Sequence, residues 1–220
     1  MLWIQPVDVF DMIWKGILIG VVVSAPMGPV GVLCVQRTLN KGRWFGFVTG
    51  IGAACSDLIY SLITGFALSY LGEFIEKPQT MFALQIFGSM LLFAFGLWSF
   101  FSRPTNHLRP VSQTRGTLIH NAVTAFFVTL SNPLIVFLIL GLFARFNFIT
   151  PGHPLEQAIG YLAIVAGALG WWFFLTHVVD KVRTRFDVRG IWMINRVIGV
   201  IVMAASVIGV ILTITGKSLY

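Results

Sequence analysis

Charge is what this sequence has least of. Only 10% of its 220 residues are Asp, Glu, Lys or Arg, while 57% are hydrophobic. Soluble domains carry roughly a quarter charged residues, and a water-facing surface this apolar would aggregate. A soluble fold is excluded on that ground. Cysteine is nearly as scarce: Cys34 and Cys55 both fall inside hydrophobic runs, where thiols usually act as small hydrophobes. Two residues cannot make a disulfide framework, and a single bridge stays open because it depends on a Cα separation under about 7 Å. His107, His120, His153 and His177 sit at rims or in connections and lack the i, i+4 spacing of a helical metal pair. The motifs of hydrolases, nucleotide-driven pumps and zinc peptidases are missing. The sequence therefore calls for neither an enzyme, a cofactor nor a metal site.

What is present is a series of long apolar runs. Six stretches, about Ile13–Gln36, Trp44–Leu71, Met81–Phe101, Leu118–Phe146, Ala158–Val179 and Ile194–Ile214, are long enough to cross a bilayer, which takes about 20 residues. The expected fold is all-α, a polytopic membrane protein of six transmembrane helices with lipid as its main solvent. Nothing is left over for a soluble domain. The start does not read as a cleaved signal peptide, which would open with positive charge; here Asp8 and Asp11 precede Lys15. The first segment is expected to stay in the mature protein.

A net charge of +7 invites a nucleic-acid reading, but its distribution follows the membrane instead. Arg37, Lys41 and Arg43 follow the first segment, Arg103, Arg109 and Arg115 the third, and Lys181, Arg183, Arg185, Arg189 and Arg196 the fifth. Positive loops stay in the cytoplasm. The expected location is a bacterial inner membrane, with both termini on the periplasmic side and no nucleic acid as partner.

The polar stretch Ser102–Thr117 divides the hydrophobic pattern into halves of three segments each. The first segment carries Ser24-Ala25-Pro26-Met27-Gly28-Pro29 in mid-membrane, and the fourth carries Thr129-Leu130-Ser131-Asn132-Pro133 at a similar depth. The second and fifth share runs of Gly and Ala, and the third and sixth open on Gln85–Gly88 and Asn195–Gly199. Three crossings per half force opposite orientations, so the pattern predicts two inverted three-helix repeats. Their bounds are residues 1–102 and 118–220, joined by a cytoplasmic linker at 103–117. Interrupted helices at matching positions of such halves point to a transporter's binding site.

Pro26, Gly28 and Pro29 remove donors and resist helical order. A broken helix survives in hydrocarbon only where protein or a polar cavity satisfies its freed groups. Ser131, Asn132 and Pro133 form the matching break. Asp57 is the one carboxylate well inside a span, and ionisable groups at that depth usually face a substrate or ion path. Helical spacing puts Gly50, Ala53, Ala54, Asp57, Tyr60, Ser61 and Thr64 on one face, with Leu58, Ile59, Leu62 and Ile63 elsewhere. An acid placed there can exchange a proton for an amine. Its bland alternative is to cap a broken helix end or to pair with a buried donor. Asn195 fits either a supporting role in the pathway or interhelical hydrogen bonding. Trp171 and Trp172 fit an interfacial aromatic belt. Gly16/Gly20 and Gly46/Gly50 have the spacing of close helix contacts, which would suit a homodimer.

These residues carry a family resemblance. Pro26-Met27-Gly28-Pro29-Val30-Gly31, the basic turn Asn40-Lys41-Gly42-Arg43, the glycine-rich run Gly46–Asp57, Asn132-Pro133 and Asn195–Gly199 together resemble the LysE/RhtB family of small amino-acid exporters. The resemblance runs from about Gly16 to Gly209, with Met27 inserted where the family usually reads Pro-Gly-Pro. It implies efflux of amino acids or similar small metabolites driven by a proton or another ion gradient. Two rivals stand beside it: an exporter of metal or inorganic ions on the same frame, and a membrane thiol–disulfide electron carrier using Cys34 and Cys55.

Overall fold

The computed structural model describes residues 8–70, 77–102, 117–150, 152–182 and 188–215. Among them every regular element is an α-helix: α1 (Val9–Ser24), α2 (Pro29–Lys41), α3 (Arg43–Tyr70), α4 (Pro78–Phe101), α5 (Leu118–Leu130), α6 (Leu134–Phe146), α7 (Pro154–Lys181) and α8 (Val188–Ile214). The helix starts follow local chemistry. Asp8 accepts from the Phe10 amide at 2.9 Å, Thr117 accepts from the His120 amide at 3.2 Å, and proline opens α2, α4 and α7. Proline suits a first turn, where its missing N–H has no intrahelical acceptor. Gly42, at φ +99°, makes the tight turn from α2 into α3, in a region side chains rarely enter.

Helices α3, α4, α7 and α8 are each long and apolar enough to cross a membrane. The pairs α1/α2 and α5/α6 pass the same test jointly and are bent by 79° and 72°. Among the described residues there are thus four helices able to cross a membrane, or six spans if each bent pair is one, and the protein is a multi-pass membrane protein. Its outward faces agree: Phe66, Phe87, Ile119, Leu162 and Ile201 are all well exposed, as lipid-facing side chains should be. Of the expected linker at 103–117, only Thr117 is described. The basic residues Arg103, Arg109, Arg115, Arg183 and Arg185 lie outside the described residues, as does His107.

Helix α1 packs along α7, α3 packs against α5 and α7, and α4 packs against α8. The short halves differ: α2 lies on α3, whereas α6 lies on α4. Two buried hydrophobic clusters form the core. One gathers Met12, Ile19, Leu138, Phe143, Phe148 and Ile164, and the other Met27, Cys34, Val35, Trp172, Leu175 and Ile191.

Both glycine pairs are used inside this bundle. A Cβ on Gly16 would lie 2.5 Å from the Gly160 carbonyl oxygen, and one on Gly20 would run into the Ile164 carbonyl. Gly46 faces Thr38 and Thr176, and Gly50 faces the Trp172 ring. The spacing that suggested a dimer is taken up by contacts within one chain. Gly20→Ala should therefore lower stability by about 1–3 kcal/mol through overpacking against backbone. Gly170→Ala, where nothing lies within 4 Å of the new atom, should leave the melting temperature in detergent unchanged or slightly raised.

Candidate functional site

The first break runs through Ala25-Pro26-Met27-Gly28, between α1 and α2. The Met27 amide donates to Asn195 Oδ1 at 2.8 Å, reaching across to α8, and the Gly28 amide donates to the Pro26 carbonyl at 2.8 Å. The second break, Ser131-Asn132-Pro133, repairs itself locally. The Ser131 and Asn132 amides donate to the Phe127 and Thr129 carbonyls, both at 2.9 Å, and Asn132 Oδ1 accepts from the Leu134 amide at 3.2 Å. The freed Leu130 carbonyl accepts from the Tyr60 hydroxyl of α3. Each interruption is held by a side chain from another helix, as hydrocarbon requires.

Both breaks open on one cavity of about 50 Å³. It lies where the two apolar clusters meet. Ser24, Pro26, Gly28 and Pro29 line it from the first break, and Thr129, Asn132 and Leu134 from the second. Asp57 enters from α3, Trp172 from α7, and Phe95 and Trp98 from α4. Asp57 is 3% exposed and accepts from Ser24 Oγ at 3.2 Å. Among the described residues it is the one charged side chain on the lining. Two polar atoms on lining residues, Thr129 Oγ1 and Trp172 Nε1, are buried without a hydrogen-bond partner. The N-terminus of α2 has no side-chain cap, whereas Asn132 accepts from the first amide of α6.

The geometry sorts the expected site residues. Pro26, Gly28, Pro29, Asp57 and Asn132 line the cavity; Ser131 and Pro133 shape the second break without reaching the lining. Gly50 makes room for the Trp172 ring, Ala54 is buried beside Asp57, and Ser61 Oγ donates to the Asp57 carbonyl at 2.8 Å. Tyr60 and Asn195 hold the breaks and stand outside the cavity. On α3, Gly50, Ala53, Ala54, Asp57, Ser61 and Thr64 are buried and Ile59, Leu62 and Ile63 exposed, while Tyr60 and Leu58 are both half-buried.

Three residues escape sequence reasoning. Trp172, assigned to an interfacial belt, is 3% exposed and lines the cavity; its one signal is the small-residue run of the facing helix, which leaves a ring-sized space. Thr129 differs in no visible way from the other threonines of the spans. Arg37, counted with the loop charges, sits inside α2 and is 5% exposed. Its Nη1 donates to Thr49 Oγ1 at 2.9 Å and to the Asn121 carbonyl at 2.8 Å, tying α2 to α3 and α5. Buried on three sides, that charge says nothing about loop topology. Cys34 and Cys55 are both free; Cys34 is buried and donates to the Gly46 carbonyl at 3.3 Å, and Cys55 is exposed. Among the described residues no three His, Cys, Asp or Glu side chains gather as a metal site.

A bent-helix cavity with one buried acid is the setting in which the resemblance can be tested against known proteins. The LysE type translocator family matches residues 21–216, nearly the whole chain. The chain belongs to that family. It is also 28% identical over 171 residues, 76% of its length and 79% of the other's, to a Bacillus subtilis (strain 168) protein named "Putative amino acid efflux protein YcgF". No solved structure matches. Membership in the LysE family makes this chain a membrane transporter and not an enzyme, and it sets the two broken spans in a translocator. Because Asn195 supplies the acceptor for Met27, Asn195→Leu should cost about 1–3 kcal/mol by orphaning a buried N–H. Asn195→Asp, which keeps an acceptor, should lose less; thermal melting in detergent separates the two.

Proposed function

We propose that this LysE-family translocator is a secondary exporter of amino acids, coupled to protons or another cation and working by alternating access. The observation that carries the reading is Asp57, one buried acid on a cavity bounded by both helix breaks. The YcgF name supports amino acids as the cargo class. Asp57 holds a proton in one state and the substrate ammonium or a coupling ion in the other. Exclusive occupancy of one carboxylate then enforces exchange, because the empty ionised form is costly to carry through the membrane.

The two halves, residues 1–102 and 118–220, act as inverted repeats. Support comes from the packing: exchanging the halves turns the α1–α7 contact into the α5–α3 contact and leaves the α3–α7 and α4–α8 contacts in place. The α2–α3 and α6–α4 contacts have no such counterparts of comparable extent among the described residues. Motion between states is assigned to these short halves, with α2 and α6 trading partners. Arg37 latches α2 in the present arrangement. Both termini face the periplasm and the basic connections the cytoplasm, as the remaining loop charges suggest.

The test is uptake and counterflow of labelled amino acids in proteoliposomes, comparing wild type with Asp57→Asn. The wild type should show saturable transport that varies with pH. The variant, folded but unable to lose a proton at this position, should lose coupled transport and its pH dependence. A variant matching wild type in both rate and pH profile would remove Asp57 from the mechanism.

A further inference from the structure

The cavity carries more chemical information than the presence of an acid. Among the described residues Asp57 is its one charged lining residue, so it offers one counter-ion to one cation. The other polar lining residues are neutral: Ser24 and Asn132, the buried and unpartnered Trp172 Nε1 and Thr129 Oγ1, and the uncapped start of α2 at Val30 and Gly31. First-turn amides have no intrahelical acceptor and carry the positive end of the helix dipole. Neutral groups able to donate, together with one acid, complement a zwitterion.

The remaining wall decides the side chain. Phe95 and Trp98 of α4 face Leu134, Ile135 and Leu138 of α6, with no charged residue among them. Four of these five, Phe95, Trp98, Leu134 and Leu138, also line an adjoining apolar groove that continues to Leu91 and Phe137. A side chain pointing this way meets hydrocarbon and aromatic faces along its length. A second ammonium, as in a dibasic amino acid, would find no second acid. A side-chain carboxylate would find no cation, and burying either without a partner is strongly unfavourable.

We infer that the substrate is a zwitterionic amino acid with an uncharged, apolar side chain, of the branched aliphatic or aromatic type. Its ammonium rests on Asp57, its carboxylate on the Trp172 N–H, the Thr129 hydroxyl and the α2 amides, and its side chain between α4 and α6. This rests on the exporter reading above and specifies the cargo of the same cavity. Trp172 and Thr129 are carboxylate-binding residues, and Trp98 determines specificity.

The experiment is counterflow of labelled leucine in proteoliposomes, with competition by unlabelled leucine, phenylalanine, lysine, glutamate and leucinol, which lacks the carboxylate. Leucine and phenylalanine should compete well. Lysine, glutamate and leucinol should each compete at least about tenfold more weakly, the scale of one lost hydrogen bond to a charged group. Trp172→Phe keeps the ring and removes the N–H. It should raise the KM for leucine by about tenfold, with little change in the inhibition constant of leucinol. Thr129→Val, nearly isosteric, should move the same ratio in the same direction. If lysine or glutamate exchanges saturably while leucine does not, the substrate class is wrong and the exporter reading stands. If leucinol equals leucine in wild type, the carboxylate assignment is overturned. If folded protein exchanges no amino acid at all, the exporter reading itself fails.

Discussion

The whole architecture depends on one constraint: in hydrocarbon, a backbone N–H or C=O freed from a helix must be paired by protein. Two helix pairs here are bent at a break, and each break is paid for by another helix. Asn195 takes the Met27 amide, and Tyr60 gives its hydroxyl to the Leu130 carbonyl. Without these partners, Pro26–Pro29 and Ser131–Pro133 would leave backbone polar groups inside the bundle unpaired. With them, the breaks open into a cavity in which helix ends and Asp57 are presented to a solute. Asn195 and Tyr60, which hold the breaks from other helices, are separate from the residues that line the cavity, whereas Asn132 does both.

Much of this is legible in the sequence, for identifiable reasons. Proline, glycine and asparagine have strong local effects, so both breaks can be read directly. The α3 face is legible because helical periodicity sorts small and polar residues from Ile59, Leu62 and Ile63. What is not legible depends on which helix lies opposite. Trp172 is buried only because Gly50 of α3 gives its ring space, and Gly16 and Gly20 face α7 rather than a second copy. Spacing announces close packing without naming the partner. Arg37 misleads for a related reason: counting loop charges assumes the helix has ended, whereas α2 continues to Lys41 after its restart at Pro29.

The two helices that follow the breaks, α2 and α6, pack differently. α2 lies on α3 within its own half, with Arg37 bonded to α3 and α5, while α6 lies on α4 of the other half. The long spans α3 and α7 contact each other between them. The rigid part of the bundle is thus built from close contacts such as Gly16 and Gly20 on α7, where backbone meets backbone and little can give. The α4–α6 contact is close as well: a Cβ on Gly88 would lie 2.7 Å from the Gly141 carbonyl oxygen.

The Asn195–Met27 hydrogen bond also bears on how the chain is made. Its partners are separated by 168 positions. At ribosomal speeds of roughly 5–20 residues per second, the first span waits about ten to thirty seconds for the acceptor that satisfies its break. The α1 surface around Gly20 likewise waits for α7. During that interval the nascent first span must be sheltered by the insertion machinery or remain partly in the interface. Its Met27 amide gains the Asn195 acceptor only when the last span arrives, so the end of synthesis completes what the beginning started.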